Sequence, residues 1–146
     1  MTGNFIDVIL PIPIKQTFTY FVTEAEAAFL QKGMRVAVSF GKTKMYTGLV
    51  YAIHEEAPTL YDAKEIYQIL DEQPIVTAEQ LVHWEWISSY YMCALGEVYR
   101  AALPSAFLLE SETILYANAA FQDESILSDE EFLIYEALQH QSQSVS

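Results

Sequence analysis

"MRVAVSFGKTKMYTGLVYAI", residues 34–53, decides how this chain folds. Its first seven residues alternate apolar side chains with others, the period of a half-buried strand. Gly41 interrupts the run with a turn, and Met45–Ile53 is β-branched and aromatic, so it reads as the returning strand. The same stretch contains Gly-Lys-Thr, the tripeptide that closes a phosphate-binding P-loop. That motif needs G-x-x-x-x-G-K-[ST] leading into a helix, so that backbone N–H groups curl around the phosphates. Position 36 is Val36 rather than glycine, Gly33 stands too early, and a strand follows instead of a helix. The nucleotide reading fails and the hairpin reading stands. Gly48, inside the returning strand, suggests a bulge or a close backbone approach.

Outward from this hairpin the chain reads as further short strands. "FIDVILPIPI" (residues 5–14) alternates and ends at Pro11 and Pro13, which predicts a strand unable to stay central in a sheet. "FTYFV" (residues 18–22) is a second strand. Thr23 and Glu26 form a capping box that opens the short helix "EAEAAFLQK", with Gly33 as its stop. "EIYQIL" (residues 65–70) is the last strand of the group, after the loop "EEAPTLYDAK". Short strands with turn signals at this density predict a small barrel or a strongly curled sheet. Thr77 with Gln80 caps the longest helix, expected over 78–94, with Leu81, Trp84, Ile87, Tyr91 and Ala94 at helical spacing and Gly96 as a left-handed stop. "GEVYRAALP" closes this unit, and Pro104 marks the boundary.

Beyond it, "SETILYANAAF" (residues 111–121) reads as one strand, and Ser128 with Glu131 caps "DEEFLIYEALQH". A strand and a three-turn helix cannot bury their own apolar faces, so a truncated second domain is expected. The expected organisation is α+β, mainly β: a barrel domain over 1–105 with one long helix, then a partial domain over 106–146.

The composition, 52% hydrophobic and 14% aromatic, supports a packed core. No apolar run approaches the ~18 residues of a membrane span, the start lacks a signal peptide's basic region, and Cys93 is the only cysteine. These features predict a cytoplasmic protein without disulfides, with Cys93 as a small buried hydrophobe. The net charge of −13 argues against nucleic acid, which is held by Lys and Arg. Yet Lys32, Arg35, Lys42 and Lys44 lie between Glu26 and Glu55 with no acid among them. On charge alone this patch fits either one strand or end of a nucleic acid, or a solvated sheet edge kept soluble by lysines. His54, His83 and His140 share no ligand spacing with Cys93, and pairs such as Glu55–Glu56 and Asp71–Glu72 sit in loops. Trp84 and Trp86 invite a base-stacking reading, but Trp84 falls on the apolar helix face. No catalytic constellation emerges.

Five segments in order, "VILPIPIKQTFTY", "GMRVAVSFGK", "YTGLV", "AKEIYQILD" and "WISSYYMCALGEVYRAALP", resemble the N-terminal region of the PriA family. These are the primosomal N′ proteins, bacterial DNA helicases of replication restart. The resemblance covers roughly residues 5 to 105, and residues 106 to 146 resemble the start of the family's winged-helix domain. It implies a small barrel related to the OB fold that binds the free 3′ end of a nascent DNA strand without regard to sequence. By position, the end-binding pocket would use Phe18, Thr19 and Tyr20, the turn at Gly41 and Lys42, and Lys64 ahead of the last strand. Phe18 would stack on the terminal base, Thr19 would meet the hydroxyl, Gly41 would let the backbone approach, and the two lysines would meet phosphates. Many family members carry Asp where Thr19 stands, so the charge-assisted bond of a carboxylate is lost at that position.

The resemblance also implies an ATP-dependent 3′-to-5′ helicase as the full-length protein, with ATP, Mg and Zn bound outside this fragment. The fragment itself is expected to lack enzyme activity and cofactors. Expected partners are DNA with a free 3′ end at forks, the remaining helicase domains and other primosome proteins, with no membrane. The alternative is a protein-interaction module docking on those helicase or primosome partners.

Overall fold

A computed structural model of the chain describes residues 4–109 and 127–140. The expected hairpin is its centre: β3 (Arg35–Phe40) pairs antiparallel with β4 (Lys44–His54), with Val36 opposite Gly48 and Val38 opposite Tyr46. β1 (Asn4–Ile9), β2 (Phe18–Val22) and β5 (Ile66–Ile69) complete a five-stranded antiparallel sheet in the order β2-β1-β4-β3-β5. The sheet curls until its two edges meet. Phe21 of β2 forms a bridge with Glu65, and its N–H donates to the Lys64 carbonyl at 2.8 Å. This is the small OB-like architecture expected of the strand pattern.

β1 corrects one expectation, because it lies inside the sheet between β2 and β4. The strand ends at Ile9, so Pro11 and Pro13 fall beyond the ladder and remove no hydrogen bond from it. Both sheet faces are covered. Ile6, Val8, Tyr20, Val22, Val36, Val38 and Val50 point into the barrel, while Ile9 and Leu49 face a second core with Val76, Leu81, Trp84, Val98 and Tyr99. Gly48 shows the close approach rather than the bulge: a Cβ there would strike the Val8 side chain. The register irregularity lies further along β4, at Tyr51: Asp7 pairs with Ala52 and Val8 with Val50, so Tyr51 is the extra residue opposite the Asp7–Val8 step of β1.

Both Thr-initiated helices carry their capping boxes: α1 (Glu24–Phe29) from Thr23 and α2 (Ala78–Tyr91) from Thr77. α1 stops at Leu30, earlier than expected. Gly33, at φ +87°, instead links β3 to the segment before α2, its carbonyl accepting from the Ile75 and Val76 N–H groups. The long helix also ends early. Met92 takes the left-handed conformation, and Gly96 belongs to a further helix, α3 (Leu95–Ala102). Gly96 is no helix stop: it sits where a Cβ would collide with the Leu10 and Ile12 carbonyl oxygens.

Trp84 is buried beside Tyr99, as its helix position predicts. Trp86 lies exposed, stacked between His83 and Tyr90. Cys93 is half-buried against the second core.

The chain divides into two compact units, Met1–Ser111 and Glu112–Ser146. In the second, α4 (Asp129–His140) starts at Ser128, whose N–H and hydroxyl both donate to Glu131 Oε2 at 2.9 Å. The strand expected over 111–121 lies outside the described residues. Among the described residues, no helix is long and apolar enough to cross a membrane, and no group of His, Cys, Asp or Glu could hold a metal ion.

Candidate functional site

Where the barrel edges meet, three chain segments leave a cleft of about 310 Å³. β2 contributes Phe18, Thr19 and Tyr20; the end of β3 and its turn contribute Ser39, Phe40 and Gly41; the loop before β5 contributes Tyr61, Asp62 and Lys64. Gln16 completes the lining. This volume is at the lower end of small-molecule pockets, roughly 300–1,000 Å³. Five of the six residues expected from the sequence therefore meet in one place. Lys42, exposed in the neighbouring turn, is not among the lining residues.

Each of the five is held by a specific contact. Phe18 packs against the barrel core while still lining the cleft, and Phe40 braces it edge-on at 4.8 Å between ring centroids. Its ring is thus neither sealed inside nor free to swing. Tyr20 is buried, and its hydroxyl donates to the Ser39 carbonyl at 3.0 Å, tying β2 to β3 across the barrel. Thr19 stands opposite Asp7 of β1 and donates its hydroxyl proton to Asp7 Oδ1 at 2.7 Å. That same Asp7 oxygen lies 3.3 Å from His54 Nε2. The Thr19 N–H, on the open edge of β2, donates to the Tyr61 hydroxyl at 2.9 Å. Lys64 Nζ donates to the Gly41 carbonyl at 2.7 Å, so the loop before β5 is fastened to the hairpin turn.

Gly41 has φ +68°, and a Cβ there would meet nothing within 4 Å. The left-handed turn, not crowding within the protein, requires glycine at this position.

Burial, with a smaller contribution from neighbouring Tyr61, pushes the Tyr20 phenol up to about 12. The fold thus favours the protonated form. Its contribution is intact below about pH 10 and is lost as pH rises through 12, a difference of roughly 3 kcal/mol. Urea unfolding at pH 9 and pH 11 is expected to show a steeper alkaline loss for the wild type than for Tyr20→Phe. Equal losses would remove Tyr20 from the account. Tyr99, also raised by burial, leaves some alkaline sensitivity in the variant.

The basic patch is smaller in the fold than in the sequence. Arg35 is consumed by a bidentate pair with Asp71, the closest contact being Nη2 to Oδ1 at 2.6 Å. Lys42 and Lys44 on the hairpin and Lys64 on the facing loop remain as exposed lysines near the cleft. Sequence reasoning missed Tyr61 and Asp62, which lay in a segment read only as a loop. The adjacent Leu60 and Tyr61, two large apolar side chains within a loop, were the available signal.

A family model of PriA, described as the 3′DNA-binding domain (3′BD), matches residues 7–104. Similar curated relatives, each named replication restart protein PriA, include that of Haemophilus influenzae, 36% identical over 109 residues, covering 69% of this chain and 14% of the relative. That of Bacillus subtilis is 29% identical over 140 residues, covering 90% of this chain and 17% of the relative. That of Treponema pallidum is 26% identical over 105 residues, covering 69% and 16%. The chain thus spans less than a fifth of the length of these relatives. Every residue lining the cleft, from Gln16 through Lys64, lies within the matched region, and the chain belongs to the PriA 3′DNA-binding domain family.

Proposed function

We propose that this chain binds the 3′-hydroxyl end of a DNA strand without sequence preference, as the end-reading module of a replication-restart helicase. The observation that carries the reading is the convergence of β2, the Gly41 turn and the loop before β5 on one cleft with an aromatic wall and a lysine. Phe18 offers a flat apolar surface on which any base can stack, and stacking of this kind contributes ~1–3 kcal/mol. Lys64 can exchange the Gly41 carbonyl for a phosphate oxygen, a stronger, charge-assisted partner. Lys42 and Lys44, exposed on the neighbouring hairpin, would meet the preceding phosphates. Residues 106–146 are the opening of a winged-helix domain in this reading, and ATP, Mg and Zn would belong to the remainder of the full-length protein.

Two or three phosphate contacts give a salt slope of about −2, near −0.7 for each on a single strand. Binding by the isolated chain is therefore weak, with avidity supplied by other domains. Fluorescence anisotropy is expected to show tighter binding to single-stranded DNA ending in 3′-OH than to the same strand ending in 3′-phosphate. Phe18→Ala should weaken that binding by ~1–3 kcal/mol. Equal affinities for the two ends would overturn the proposed function, and an unchanged Kd for Phe18→Ala would remove this ring from the site.

A further inference from the structure

The polar groups of the cleft are unequal in what they can still offer a ligand. The Thr19 hydroxyl donates its hydrogen bond to Asp7, the Thr19 N–H donates to the Tyr61 hydroxyl, and the Tyr20 hydroxyl donates to the Ser39 carbonyl. Asp62 lines the same cleft from the loop before β5, and its side chain is exposed. No hydrogen bond or ion pair commits its carboxylate among the described residues. Gln16 and Ser39 also line the cleft, but amide and hydroxyl groups both donate and accept, so they do not distinguish a hydroxyl from a phosphate. An ionised carboxylate only accepts, and it carries a negative charge. A terminal hydroxyl can donate to it. A terminal phosphate, with about −1.5 to −2 charge near neutral pH, is repelled by it.

We infer that Asp62 is the specificity-determining residue that makes this cleft select a 3′-hydroxyl and reject a 3′-phosphate. The inference rests on the proposed end-binding function and adds the group that performs the discrimination. It also explains how a cleft beside three lysines avoids preferring the more highly charged end. Lys64 attracts the internucleotide phosphate from the Gly41 side, while Asp62, two residues earlier on the same loop, penalises any phosphate placed at the terminus. Thr19, whose hydroxyl donates to Asp7, carries no charge that would repel a terminal phosphate.

The test uses the full 146-residue chain as wild type and as Asp62→Asn, with single-stranded oligonucleotides ending in 3′-OH or 3′-phosphate. Asn keeps the size and an acceptor but removes the charge. Since Asp62 is exposed, matching thermal unfolding curves are expected for the two proteins. The wild type should favour the 3′-OH end, and Asp62→Asn should lower the ratio of the two affinities by about fivefold or more, chiefly through tighter binding of the phosphate end. Lowering the salt concentration should widen the gap between the proteins. A preference preserved in Asp62→Asn overturns the inference and leaves the end-binding function standing. A wild type without any preference overturns both.

Discussion

Arg35→Ala is expected to cost about 3–5 kcal/mol of folding stability, because it strands a carboxylate that the fold has largely removed from water. The side chains of Arg35 and Asp71 are only 14% and 8% exposed. Asp71 receives the Arg35 backbone N–H at 2.8 Å as well as the guanidinium. Arg35 also donates to the Phe107 carbonyl at 3.0 Å and lies 4.9 Å from the centre of the Phe107 ring. One side chain therefore joins the start of β3, the turn before α2 and the segment following α3.

The pair has a pH signature. Burial pushes the Asp71 carboxyl upward, but the side-chain and backbone hydrogen bonds from Arg35 outweigh it and leave the pKa lowered. A lowered carboxylate stabilises the fold above its unfolded value, near 4, and loses that contribution as pH falls through its folded value. Urea unfolding followed by tryptophan fluorescence should show the loss at pH 7 and a flatter acid limb in the variant. Replacing both partners, Arg35→Met with Asp71→Leu, should recover only part of the stability, because the Arg35 N–H and the Phe107 carbonyl still lose their partners. A loss below about 1 kcal/mol in Arg35→Ala would mean that the pair is no more than a surface ion pair.

This arginine also shows where sequence reasoning reaches its limit. Between Glu26 and Glu55 it counted as one of four bases in an acid-free stretch, but its partner is 36 residues further on. Charge patterning along a chain does not register a pairing made through the fold. The hairpin, the capping boxes and the Trp84 core position were legible because each depends on neighbours within a few residues. α3 was not legible as a separate helix: its N-cap is Ala94, which has no capping oxygen, and the break before it falls at Met92, a residue type that seldom adopts a left-handed conformation. Within the cleft, Phe18, Thr19, Tyr20, Gly41 and Lys64 came from family resemblance, and periodicity alone would have left them as strand and turn residues. Tyr61 and Asp62 are set by how a loop lies across the edge of β2, and no local period encodes that.

Gly96→Ala is the second large effect, expected to cost about 3 kcal/mol or more. The glycine is in α3 with no positive φ, so alanine by itself would favour the helix. The cost is steric. The new methyl group would lie against the carbonyl oxygens of Leu10 and Ile12, and backbone atoms cannot swing aside as a side chain can. Relief requires moving α3 or the segment that leads from β1 towards Gln16 and Phe18, so the damage also reaches one wall of the cleft. Gly41→Ala separates packing from site geometry. Its Cβ meets nothing within 4 Å, and only the left-handed turn resists it, at about 1–2 kcal/mol. In the proposed complex that methyl group stands beside the incoming DNA backbone. Gly41→Ala should therefore weaken binding to 3′-OH single strands more than it weakens folding, and Gly96→Ala should do the reverse. Denaturant midpoints and anisotropy titrations on the same two proteins decide the matter. Near-wild-type stability in Gly96→Ala would show that α3 is not pressed against the Leu10–Ile12 backbone, and unaltered DNA affinity in Gly41→Ala would place the DNA path away from this turn.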